Sequence, residues 1–127
     1  MIQQLDVPIF GDNILFLVET TKEEWEDFVD NPTNKDKLTD DEIQNVIDDI
    51  GNVVGVGGTT TILDKGGHLV YIRDANRLFY SMHEIYHVAD RILKSRGIVH
   101  DEDDEIYAYM VGWLAEKYDN MIKGIER

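Results

Sequence analysis

The chain has 127 residues, 43% of them hydrophobic, with 12 basic and 26 acidic side chains and a formal net charge of -14. One domain with a real core is expected at this size, and so negative a surface repels nucleic-acid phosphates and anionic lipid headgroups. The charge favours a basic partner, or simply keeps a small protein in solution. There is no cysteine, so disulfides are excluded, any zinc must be held by nitrogen and oxygen, and a cytoplasmic setting is expected.

The opening MIQQLDVPIF lacks the basic start and apolar run of a signal peptide, and no segment has the length and apolarity of a membrane span. NILFLVE (13–19) is β-branched and apolar and reads as a strand. A helix follows in TTKEEWEDFVD. Thr20 with Glu23, or Thr21 with Glu24, makes a capping box, and Trp25, Phe28 and Val29 share one face. NPTNKDK (31–37) is a loop. A second capping box, Thr39 to Glu42, opens a helix with an Ile43, Val46, Ile47, Ile50 stripe and Gly51 as its stop.

NVVGVGGTTTIL (52–63) is mostly β-prone, and Gly55, Gly57 and Gly58 mark a bulge or a close backbone approach. DKGG (64–67) is a turn and HLVYIRD (68–74) a strand, so the two strands form a hairpin. Asp74 or Asn76 caps the next helix, about 77 to 96, which Gly97 ends. The acidic run DEDDE (101–105) then suits the start of a last helix.

SMHEIYHVAD (81–90) carries the chemistry. Leu78, Met82, Ile85, Ala89 and Ile92 form an apolar stripe at helical spacing. His83 and His87 lie away from that stripe, four residues apart and on one face, with Asp90 on their side. Two imidazoles one turn apart can both reach one zinc ion, while Glu84, on a neighbouring sector, can take a proton from water without being a ligand. A catalytic zinc also needs a third protein ligand and an open position. The long-helix pattern that would place a histidine at position 93 is excluded, because Leu93 stands there.

HEIYH followed by DEIYAYMVGWLAE resembles the gluzincin-type zinc metallopeptidases, over roughly residues 53 to 118. The resemblance implies a third ligand from a following helix, which is Glu105, with Ala108 and Gly112 small where the helices approach. Asp104 is the alternative ligand, and Glu102 or Asp101 are weaker ones. It also implies an α+β fold, a small antiparallel or mixed sheet packed on the histidine helix, with an edge strand that pairs with an extended protein substrate. Either 53–63 or 68–73 could be that edge. Compact peptidases that cleave cytoplasmic repressors, and short phage proteins, are similar in layout.

The expected activity is therefore hydrolysis of a peptide bond with one zinc ion, His83, His87 and Glu105 as ligands, and Glu84 as base. Tyr86, Tyr107, Tyr109, His68 and His100 are candidates to stabilise the oxyanion. Asp90 either orients a histidine or pairs with Lys94. The alternatives are a non-catalytic acidic binding protein, such as a DNA mimic or an adaptor for a basic partner, and a structural zinc protein with His100 or Asp104 closing the fourth position.

Overall fold

A computed structural model describes residues 1–124. The chain is α+β: one four-stranded mixed sheet with two helices on each face. Strands β1 (Ile2–Val7) and β2 (Asp12–Val18) form an antiparallel hairpin. Helices α1 (Lys22–Asp30) and α2 (Asp40–Gly51) follow, then a second antiparallel hairpin, β3 (Gly58–Ile62) and β4 (His68–Ile72). Helices α3 (Leu78–Ser95) and α4 (Asp104–Ile122) complete the fold. The sheet order is β1-β2-β4-β3, and the β2–β4 pairing that joins the two hairpins is parallel.

Local signals explain the first two helices. Thr21 and Thr39 each accept from the backbone three residues on, and Glu24 and Glu42 bond back to the threonine backbone. Glu42 also accepts from the Asp64 backbone at 2.9 Å, which ties the start of α2 to the β3–β4 turn. Gly51 stays inside α2, and Asn52 is the C-cap. Position 97 behaves as expected: Gly97 has φ +75, and Ile98 N–H reaches back to the Leu93 carbonyl, which closes α3.

Every residue of β4 is buried, because β4 is an inner strand covered on both faces. Val70 and Ile72 face one core with Ile14, Phe16 and Val18 of β2, Ile85, Val88 and Ile92 of α3, and Leu114 and Tyr118 of α4. Leu69 and Tyr71 face the other core, with Leu17, Trp25 and Val46. Period-2 alternation on a strand covered twice thus feeds two cores.

Three further expectations change. The strand expected in 52–63 is confined to 58–62, because 53–55 is a turn carrying the exposed Val53 and Val54. Neither Asp74 nor Asn76 caps α3, whose N-cap is Arg77 without a side-chain bond; Asp74 instead accepts from the Asn76 backbone. Leu78 lies outside the core at 68% exposure; the buried face runs through Ser81, Ile85, Val88, Ala89 and Ile92. The N-terminal strand β1 had no expectation attached. It is polar at Gln3, Gln4 and Asp6, as suits an outer strand.

Candidate metal centre

Helix α3 lays one face on the sheet, which leaves His83 exposed and His87 half-buried on the outer side. Their rings meet edge to face, with centroids 4.5 Å apart, and their Nε2 atoms are 3.1 Å apart. A neutral pair at this distance shares one proton between the two nitrogens. Two nitrogens on one tetrahedral zinc at about 2.0–2.1 Å stand roughly 3.3 Å apart. The pair is therefore already within a few tenths of an ångström, in order of magnitude, of the spacing a chelated ion requires. Phe79, one turn earlier, stacks on His83 at 5.9 Å and 24°.

Glu84 turns the other way. It is 5% exposed and packs against β3, where the Thr60 hydroxyl donates to its Oε1 at 2.8 Å. Gly58 is the close approach: a Cβ there would come within 2.8 Å of Glu84 Cγ. Gly57 likewise makes room for Tyr80.

β3 is an edge strand, which decides between the two segments proposed for that place. Gly57 O accepts from Arg73 N–H, and Leu63 N–H donates to Gly67 O. By the alternation of an antiparallel ladder, odd-numbered residues of β3 face β4, and Gly58, Thr60 and Ile62 turn their backbone groups to the open side.

Helix α4 runs antiparallel to α3, with Ser81 against Tyr118 at one end and Asp90 against Tyr107 at the other. Glu105 is exposed in the first turn of α4. Tyr107, two residues later, reaches Asp90, three residues after His87, so that turn stands beside the helix just beyond the histidine pair. His83 and His87 are brought together; Glu105 is not joined to them, and no set of three or more His, Asp or Glu side chains among the described residues is grouped to hold an ion. Within the acidic run, Asp101 and Asp104 lie 3.9 and 3.6 Å from His100.

Asp90 pairs with Lys94 at 2.9 Å and accepts from Tyr107 at 3.1 Å. Partial burial pushes its carboxyl up, but the bonds from Lys94 and Tyr107 and the lysine charge overcome this and hold it below its ordinary value. Of the five oxyanion candidates, Tyr86 alone has its ring against the pair, 6.3 Å from His87. Tyr107 is bound to Asp90, and Tyr109 lines an apolar cavity of about 250 Å³ with Ile9, Phe10 and Trp113. His100 faces its aspartates, and His68 is buried at the start of β4 beside Asp12.

Thr60, Phe79 and Arg91 belong to no motif in the sequence. Phe79 stands four before His83, a signal open to helical periodicity; Thr60 and Arg91 become neighbours only through the packing of β3 on α3. No helix among the described residues is long and apolar enough to cross a membrane. Comparison of the chain with protein-family models, with curated proteins and with solved structures finds no match.

Proposed function

We propose that the chain is a zinc-dependent peptidase acting on an extended segment of a protein. The observation that carries this reading is the preformed imidazole pair of His83 and His87, with a buried glutamate between them in sequence that packs on the edge strand β3. His83, His87 and Glu105 hold one ion, which supplies Lewis acidity at the reacting carbonyl.

The chain's own groups do the rest. The open side of β3 offers backbone donors and acceptors that align an extended substrate. Glu84 takes a proton from the attacking water and passes it to the leaving amine. Glu105 is favoured over Asp104 because its carboxylate has no hydrogen bond or ion pair among the described residues, whereas Asp104 faces His100.

The rival reading, an acidic adaptor without catalysis, rests on net charge and leaves the imidazole pair unexplained. Metal analysis separates the two. Gently purified protein is expected to carry close to one zinc per chain, and metal-free protein sinks the proposal. Glu84→Gln should keep the zinc and lose hydrolysis of an unstructured protein by about 10²–10⁴-fold. Glu105→Ala should weaken zinc retention; if Asp104→Ala does so instead, the third ligand is Asp104.

A further inference from the structure

Thr60 lies half-buried in the middle of β3, on the side that faces α3. Its hydroxyl is 2.8 Å from Glu84 Oε1 and 3.3 Å from the Glu84 backbone carbonyl. A hydroxyl has one proton, and the carboxyl oxygen at the shorter distance takes it. Two residues earlier on the same face, Gly58 leaves the slot in which the glutamate stem lies; a Cβ there would also come 3.2 Å from Oε2. Arg91, two turns beyond Glu84 on the same face of α3, donates its guanidinium to the Thr60 carbonyl. One residue of an edge strand is thus bound twice to the helix that carries the histidines, once through its side chain and once through its backbone.

We infer that Thr60 is a positioning residue that holds the Glu84 carboxyl against β3, in a slot left open by Gly58 and on a strand pinned by Arg91. Its catalytic consequence rests on the reading of Glu84 as the base. The same strand then performs two tasks. Its inner-facing side aims the base, and its open edge receives the substrate, so pairing and proton transfer share one frame. Because Arg91 occupies the Thr60 carbonyl, an incoming strand pairs with the Gly58 N–H and C=O and with the Thr60 N–H.

The test compares zinc-loaded wild type, Thr60→Val and Thr60→Ser. Valine keeps the β-branched shape that suits a strand, and serine keeps the hydroxyl. Thr60→Val is expected to lower kcat on an unstructured protein substrate by about 100-fold, the order seen when a reacting group is misplaced. KM and zinc content should stay unchanged, and Thr60→Ser should recover most of kcat. A Thr60→Val protein with wild-type kcat, or a Thr60→Ser protein as slow as Thr60→Val, overturns the inference.

Crystal structures of the three proteins supply a readout that needs no activity. The Glu84 carboxyl should leave the strand in Thr60→Val and stay in Thr60→Ser. If it stays in both, Thr60 does not position it, whatever the kinetics. A wild type with neither zinc nor hydrolysis sinks the proposed function instead, and the crystallographic comparison still decides whether Thr60 sets Glu84.

Discussion

On one face of the sheet, α1 and α2 each begin at a threonine whose side chain and backbone are bound reciprocally to a glutamate three residues on. On the other face, α3 and α4 begin at Arg77 and Asp103 with no side-chain cap bond. The capped helices are short and bury few side chains: Trp25 from α1, Glu42 and Val46 from α2. The uncapped ones have 18 and 19 residues, and α3 alone buries seven. Caps decide where a helix starts; cores decide where it lies. The candidate site uses the second kind of helix, whose long axis is held by packing. Its outer side carries His83 and His87.

Trp25→Ala should show the largest effect on stability, about 3–5 kcal/mol, because a fully buried indole is lost along with its bond to the Ile43 carbonyl. Chemical denaturation measures the loss, and zinc titration of the still-folded variant sharpens the comparison. Unchanged zinc affinity would mean that the α3/α4 face keeps its geometry without help from the other side. A parallel loss of affinity would mean that β4 transmits the damage.

His68 belongs to the buried strand that joins the two faces. Burial pushes its imidazole below the ordinary value; the nearby Asp12 opposes this and Arg91 adds to it. Its folded-state pKa is thus below the unfolded one, so the unfolded chain binds the proton more readily. Stability should be full above about pH 6.5 and fall as pH drops below that unfolded value. Thermal melts between pH 7.5 and 5.5 should show this slope, and His68→Phe should flatten it. An unchanged slope in the variant would assign the effect to another group.

Smaller effects separate the helix starts themselves. Thr39→Ala should cost about 1 kcal/mol by removing a cap, whereas Asp103→Ala should stay within about 0.5 kcal/mol because no cap bond is lost. Equal losses in equilibrium unfolding would erase the distinction between the two pairs.

Much of the framework was legible residue by residue. The threonine–glutamate pairs marked two helix starts because capping is a contact across three residues. Gly97 marked the end of α3 because a left-handed turn there suits glycine. Helical periodicity predicted that His83 and His87 would share an outward face, since that depends only on residues per turn. β1 was not legible, because its adjacent Gln3 and Gln4 break the period-2 pattern, and the segment becomes a strand by pairing with β2. Val53 and Val54 read as strand by composition, yet Arg73 binds the carbonyls of Asp49, Asn52 and Val56 around them and holds a turn.

What the sequence by itself determined is the set of local contacts: caps, turns, the pairing of two strands across a glycine turn, and two histidines on one side of a helix. These interactions span a few residues, so the order of side chains along the chain suffices to specify them. Tertiary structure alone decided that β3 and not β4 is the open edge, that Glu84 is seated on Thr60, and that Tyr107 reaches Asp90 while Glu105 stays apart from the histidines. Each of those depends on segments far apart in the chain meeting across a common core, and the choice among possible meetings is made by which packing buries Trp25, Phe16, Ile85 and Leu114 together with an inner strand covered on both sides.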